Sequence, residues 1–397
     1  IYSSLLKDNK PEWLDYGKIR LSYGVVGNAP EIYKAATGYN QSAVGSYIYN
    51  QVPQALGNNE IQPEQKYEFE LGWENKFLGN RLGFELSYYQ NTVKDQILQT
   101  TTSASSGGTS IWMNVGELKN AGVEMSMYGT VIQTKDWNWS TSLNFSHNKN
   151  EVVSVSNSEF NAGVLNQYDP NLPGLSQGCN TQRIVEGKPI GSFYLWDWAG
   201  YNDAGESIFY RYDGDGNPIL DADGNHETTS EPAQDDRIYM GSAQPKLTMG
   251  WNNTITWKNW DLNIFFTGVF GQKIFNEPKA YFSYVGGISQ GKNVMASIRD
   301  EQLPTDVRAH YPSQRYLENG SYFKLSTLTL GYTFRNCFNG WLKDVRLYVS
   351  GNNLFTITKY TGRDPEINLG GLAPGHDTRS DHYPRTRQVL VGVNVNF

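Results

Sequence analysis

Charge, cysteine, histidine and long apolar runs are all scarce in this chain. Only 18% of its 397 residues are Asp, Glu, Lys or Arg, and 40 acidic residues against 33 basic ones give a formal net charge of −7. Phosphate backbones call for a basic face, so a nucleic-acid partner is excluded. No stretch approaches the roughly 18 apolar residues of a membrane-spanning helix. The five histidines, at 147, 226, 310, 376 and 382, are scattered without metal-ligand spacing. His226-Glu227 starts like a zinc-protease helix motif, yet Ser230 stands where the second histidine belongs. Nucleophile elbows, phosphate-binding glycine loops and CxxC pairs are missing too, which excludes the common catalytic frameworks. The expectation is a protein that is not an enzyme and carries no organic cofactor.

What the chain has in plenty is glycine (40), tyrosine (26), phenylalanine (17) and tryptophan (11). Their arrangement is clearest between Lys66 and Tyr89. Tyr67, Phe69, Leu71 and Trp73 alternate with Glu68, Glu70, Gly72 and Glu74, and Leu82, Phe84, Leu86 and Tyr88 resume the apolar series after Gly79-Asn80. A period of two marks strands, and the Gly-Asn pair tolerates the positive φ of a tight hairpin. A soluble sandwich could show this pattern, but each run lasts about 9 to 11 residues, the length a tilted strand needs to cross a bilayer. The low mean hydropathy of −0.56 fits the same reading, because half of each barrel strand and all of the loops face water.

Further alternating runs are Gly17 to Val25, Val123 to Tyr128, Trp137 to Ser146, Leu247 to Trp257, Trp260 to Phe270, Leu328 to Phe334, VRLYVSG and QVLVGVNVNF. Short turns alternate with long connections, the asymmetry between periplasmic turns and extracellular loops of outer-membrane barrels. Gln96 to Asn120, with its TTTSASSGGTS tract, is expected to be a long loop, and GSFYLWDWAGY a strand within the long middle segment. If Lys149 to Gln244 contributes zero or two membrane strands, every short turn falls on the periplasmic side. The fold class is therefore all-β: about 10 to 12 antiparallel strands of a transmembrane barrel. Cys179, in a long loop, and Cys337, in a short turn at the opposite end, are too far apart for a disulfide.

Several segments carry more than a fold class. IRLSYGVVGN, IQPEQKYEFELGWENKFLGNRLGFELSYYQNTVKDQIL, NVGELKNAGVEMSM, ENGSYFKLSTLTLGYTF, YVSGNNLFTITKYTGRDPE and YPRTRQVLVGVNVNF resemble, in order, the SusC-like branch of TonB-dependent outer-membrane transporters of Bacteroidetes. The resemblance implies a plugged barrel of about 22 strands, of which residues 1–397 are the C-terminal part. On that reading the plug and the TonB-binding segment lie outside this chain, which starts at Ile1 without an initiator Met or signal peptide. It also implies a SusD-like surface lipoprotein as partner, in a hetero-oligomer that extends to a dimer of transporter–lipoprotein pairs, with TonB acting through the missing N-terminal part. The cargo would be a large nutrient, an oligosaccharide first. A peptide importer of the same family, or a passive porin or surface receptor, is the alternative. Phe397 matches the terminal aromatic read by the outer-membrane assembly machinery.

Two sets of candidate site residues follow. Trp112, Tyr168, Trp196, Trp198, Tyr281, Tyr284 and Tyr311 lie in or near extracellular segments and could stack on the C–H faces of sugars. Their competing roles are an interfacial aromatic girdle and loop packing. Asp213, Asp215, Asn217, Ile219 and Asp221 have the spacing of the first ligand positions of a calcium loop, although Pro218 and Gly224 replace the Gly and Glu such a loop needs. The competing role is a polar hairpin turn.

Overall fold

The computed structural model describes all residues except 104, 106, 157–163, 168–179, 299–301, 338–340, 368–369, 379–382 and 397. Ten antiparallel strands form one continuous sheet in sequence order: β1 (Leu14–Asn28), β2 (Glu64–Phe77), β3 (Leu82–Thr101), β4 (Ser110–Gln133), β5 (Trp137–Ser154), β6 (Leu247–Trp257), β7 (Trp260–Phe270), β8 (Tyr322–Cys337), β9 (Leu342–Thr358) and β10 (Gln388–Asn396). Pairing β5 directly with β6 means that the long middle segment adds no strand to the wall. β1 and β10 each have one neighbour in this sheet, so it stands as an open section of a barrel wall.

Register explains which face meets lipid. Ile19 pairs with Trp73, Leu21 with Leu71 and Tyr23 with Phe69. Leu347 pairs with Val393 and Val349 with Val391. These residues are largely exposed on the convex face, where hydrocarbon replaces water as the favourable surrounding. Aromatic rows mark its two borders. Trp137 stacks on Trp257 at 5.4 Å and Trp260 meets Tyr332 edge-on at 4.8 Å near the short turns, while Phe266 stacks on Phe323 at 5.1 Å toward the loops. Rings with one polar edge settle at such interfaces.

The short connections behave as their residues dictate. Leu78, Gly79 and Asn80 take φ of 56°, 67° and 62°, and Lys258 takes 53° in the two-residue turn to Asn259, matching the twist that tight hairpins require. Polar residues on the lipid face are satisfied locally. Thr141 and Asn253 are register partners. Trp139 Nε1 donates to Asn253 Oδ1 (3.2 Å) and Trp251 Nε1 donates to Thr141 Oγ1 (3.0 Å). The Thr141 hydroxyl also donates to the Asn252 carbonyl (3.3 Å), so neither polar group faces hydrocarbon unpaired, which would be costly.

The lumenal face carries paired charge. Arg20 binds Glu85 and approaches Glu74 and Glu70. Arg346 on β9 reaches across β8 to Asp261 on β7 with two hydrogen bonds, 2.9 and 2.5 Å. Gly331 makes that crossing possible, since a Cβ there would lie 2.5 Å from the Asp261 carboxylate and 2.7 Å from the guanidinium.

One expectation fails. Gln96 to Asn120 is not a loop: β3 runs to Thr101 and β4 begins at Ser110, leaving only residues 102–109 as the connection. At about 3.3 Å per residue the 24 residues of β4 extend ~80 Å, well past any bilayer. Beyond the lipid both faces of this hairpin meet water or other loops, so no apolar alternation announces it. The GSFYLWDWAGY segment also splits, into Ser192–Leu195 and Trp198–Tyr201, which join different small sheets. The other long connections fold into a packed layer in which Phe193, Leu195, Phe275, Ala280 and Tyr316 are fully buried. Cys337 is a free thiol, and Cys179 lies outside the described residues.

Replacing Leu328 on the lipid face by Arg should cost about 2–4 kcal/mol, whereas Thr329→Arg, on the lumenal face, should cost under about 1 kcal/mol. Equilibrium unfolding of the complete barrel from phospholipid vesicles measures both.

Candidate functional site

The loop layer gathers some of the sequence-predicted aromatics and separates others. Trp196, Trp198 and Tyr311 share one cluster with Phe209. Trp196 is only 1% exposed. Its Nε1 donates to the Ala233 carbonyl (2.7 Å), and its ring lies 5.0 Å from that of Tyr311. It is a packing residue of the layer. Trp198, two residues on, is half-buried at the edge of the cluster. Gln314 holds its backbone from both sides: Trp198 N–H donates to Gln314 Oε1 (2.7 Å) and Gln314 Nε2 donates to the Trp198 carbonyl (2.8 Å).

The Arg315 guanidinium stacks 4.4 Å from the Trp198 ring and donates to Tyr201 Oη (2.8 Å). Such a cation over an indole face fixes the ring and keeps it flat. Gln302 ties in the next segment. Its Nε2 donates to Tyr201 Oη (3.1 Å) and to the Ser283 carbonyl (2.9 Å), and its Oε1 accepts from Val285 N–H (2.6 Å). Tyr284 therefore stands beside this network, its ring 4.5 Å from His310. Tyr281 packs edge-on against Phe282 at 5.1 Å. Trp112 lies elsewhere, on the extended part of β4, under the Lys34 ammonium at 3.9 Å. Tyr168 and Phe397 lie outside the described residues.

Below the layer, the lumenal wall holds two adjoining clefts that share Thr267 and Glu366. One is lined by Lys324, Ser326, Asn352, Tyr383, Arg385 and Gln388, the other by Glu124, Ser126, Asn144, Ser146 and Thr248. Glu366 accepts from Lys324 Nζ (2.7 Å) and pairs with Arg385 (2.9 Å). Hydroxyls and amides dominate this surface, and Glu366 matches its two cations, Lys324 and Arg385. Sequence reasoning missed the clefts because each strand contributes only one or two small polar side chains.

A buried network pins the loop after β9. Tyr360 Oη donates to Asp377 Oδ2 (2.7 Å), Arg363 donates to Asp377 Oδ1 (2.6 Å), and His376 Nε2 is 2.7 Å from Thr181 Oγ1. Burial raises the Tyr360 phenol well above its ordinary value, reinforced by the Asp377 charge. Burial also pushes the His376 imidazole down to about 3.

The calcium-like spacing resolves into two successive five-residue turns. Asp213 Oδ1 accepts from the amides of Asp215 (3.0 Å) and Asn217 (2.8 Å), and Asp221 Oδ1 accepts from those of Asp223 and Asn225 (both 2.9 Å). These backbone donors hold both carboxyls below the usual carboxylate range. The Ile219 carbonyl accepts from Glu227 N–H (2.8 Å). Asp213, Ile219 and Asp221 thus spend oxygens on separate hairpin bonds, and no group of three or more His, Cys, Asp or Glu side chains converges on a metal position among the described residues. The donor set does not fit a calcium loop.

An open antiparallel wall with a lipid-facing belt, a polar lumen and a thick extracellular layer defines an outer-membrane barrel protein. The chain belongs to the family of TonB-dependent receptor-like β-barrels, whose model matches residues 11–354, a family of outer-membrane receptors and transporters of the SusC type and not of enzymes.

It is 31% identical to the TonB-dependent receptor P3 of Formosa agariphila, over 96% of this chain and 39% of that protein. It is 25% identical to the TonB-dependent receptor SusC of Bacteroides thetaiotaomicron, over 96% of this chain and 37% of that one. Among solved structures it resembles the RagAB peptide transporter with a TM-score of 0.80 and 26% identity, covering 99% of this chain and 42% of that one. The chain therefore spans about two-fifths of the length of the relatives it matches.

His376 should make stability depend on pH. Its folded pKa lies below the unfolded value of about 6.5, so the unfolded state binds the extra proton and stability falls as pH drops below about 6.5 toward 3. A His376→Asn variant should show a shallower loss of melting temperature between pH 7 and pH 4 than the wild type, as measured by calorimetry of the complete protein in detergent.

Proposed function

We propose that this chain forms part of the wall and the extracellular loop layer of a TonB-dependent importer that takes up a large, neutral, polyhydroxylated nutrient, an oligosaccharide. The observation that carries the cargo is the lumenal surface. Its cations Arg20, Lys66, Lys76, Lys324 and Arg346 are each held by carboxylates, and Ser, Thr and Asn side chains fill the clefts between them. A wall rich in hydroxyls and amides, with these cations neutralised, suits ligands that exchange many neutral hydrogen bonds. At the loop layer, Trp198 offers a braced aromatic face. Its indole Nε1 is shielded and has no acceptor among the described residues, so a ligand hydroxyl reaching it would remove the cost of an unmade bond.

In this reading a SusD-like lipoprotein covers the loop layer, the ligand is held between lipoprotein, loops and plug, and TonB supplies the energy for plug displacement. The relatives' greater length and the unpaired edges of β1 and β10 leave room for the strands and plug this requires. A peptide cargo is the second reading. It is favoured by the likeness to a structure described as a peptide transporter and by the Lys324–Glu366–Arg385 charges, which could receive peptide termini.

Calorimetric titration of the complete protein with its accompanying lipoprotein, against oligosaccharide and peptide panels, separates the readings. Saturable glycan binding that weakens tenfold or more in Trp198→Ala, at an unchanged melting temperature, is the expected result, while Trp196→Ala should lower the melting temperature instead. Peptide binding alone would replace the cargo. No binding and no accompanying lipoprotein would point to a passive pore or receptor.

A further inference from the structure

The lipid-facing surface is not uniform. On one row of the sheet, Gly129 of β4 pairs with Leu82 on one side and with Thr141 of β5 on the other. Two small residues side by side leave a dent of about 490 Å³ in the apolar belt. Leu82, Met127, Leu143 and Trp251 wall it. Its floor stays apolar because the Thr141 hydroxyl is taken up by the Trp251 indole (3.0 Å). The dent lies at the short-turn end of the belt: Leu82 is the first residue of β3, and Trp137 and Trp257 stack just below the row.

Cations lie immediately beneath. Arg81, in the turn between β2 and β3, lines the mouth of the dent. Its guanidinium donates to the Thr130 carbonyl (3.2 Å) and has no carboxylate partner among the described residues. The neighbouring turns are stitched to one another, Thr130 N–H donating to the Arg81 carbonyl and Lys258 N–H to that of Asp136. They carry Lys135 and Lys258, which also form no ion pair among the described residues. This differs from Arg20, Arg346 and Lys324 of the lumenal wall, which are neutralised by carboxylates. Apolar groove above, free guanidinium below, at the border between hydrocarbon and water, is the layout of an acyl chain and a phosphate.

We propose that this groove binds one glycerophospholipid of the periplasmic leaflet, with an acyl chain lying over Gly129 and Thr141 and the phosphate held by Arg81. The site is separate from the lumen and from the loop layer, so it stands whatever cargo the barrel carries. The short turns face the periplasm in this family, and the lipid source is therefore the phospholipid leaflet rather than the lipid A leaflet. Leu82 Cδ1 and the Arg81 carbonyl would lie 3.5 and 3.6 Å from a Cβ added at Gly129, ordinary contact distances. A larger side chain there would fill the groove without displacing backbone.

The test uses the complete protein, purified, stripped of lipid in detergent and titrated with phosphatidylethanolamine, with diacylglycerol and lipid A as separate arms, while native mass spectrometry counts bound molecules. The wild type should hold one tightly bound phosphatidylethanolamine. Gly129→Leu should weaken that binding tenfold or more, and Arg81→Glu should weaken it while leaving diacylglycerol binding unchanged. Both variants should keep heat-modifiable migration and the wild-type melting temperature, which separates groove loss from misfolding. Undiminished phosphatidylethanolamine binding in Gly129→Leu, equal affinity for diacylglycerol and phosphatidylethanolamine in the wild type, or displacement by lipid A at equal concentration would each overturn the proposal.

Discussion

Backbone amides in hydrocarbon have no water to bond, and the rest of this structure depends on that constraint. Each N–H and C=O of a spanning strand must find a neighbouring strand, which makes the wall a continuous antiparallel ladder in sequence order. Once the ladder is set, side chains fall alternately into lipid and lumen. The apolar residues of β8, β9 and β10 then cannot be redistributed without shifting the register of the whole sheet. The same rule accounts for the exceptions on the lipid face. Thr141 and Asn253 are tolerated because each receives an indole donor from a tryptophan on the adjacent strand, and the Thr141 hydroxyl in turn donates to the Asn252 carbonyl.

Charge obeys a second division. Inside the wall, arginines are held by carboxylates on other strands, as Arg346 is by Asp261 across Gly331. These pairs are partly solvated and each adds little stability, but they neutralise the arginines of the lumenal wall. At the short-turn rim Arg81, Lys135 and Lys258 form no ion pair among the described residues. Above the membrane, stability comes from ordinary burial, with Phe193, Phe275 and Tyr316 as the core and hydrogen-bonded clamps such as Asp377 and Gln302 joining segments far apart in sequence.

Much of the wall was legible in the sequence, because a two-sided environment stamps period-two alternation on every spanning strand. The tight turns at Gly79-Asn80 and Lys258-Asn259 follow from the same reading, which left zero or two wall strands to the middle segment, and the β5–β6 pairing makes it zero. Legibility ended where lipid ended. The distal parts of β3 and β4 interrupt their apolar residues with Thr, Ser and Gly, and Leu98 and Val115 pack onto Val152, Ile184 and Ile190 of other segments instead of facing lipid, so pairing above the membrane left no regular alternation. Trp196 and Trp198 look alike in sequence, yet one is core and the other rim, because residues 311–316 decide it from more than a hundred positions away. The Asp213 to Asp221 spacing copied a calcium loop because two DxDGN-like turns follow each other, each spending its first carboxylate on its own amides.

The central claim is that β9 alternates between lipid and water. A single-cysteine scan from Val345 to Asn352 in the complete protein, in native membranes and with a water-soluble maleimide, tests it most directly. Cysteines at Arg346, Tyr348, Ser350 and Asn352 should react, and those at Val345, Leu347 and Val349 should stay protected. Uniform reactivity, or a period other than two, would contradict the account.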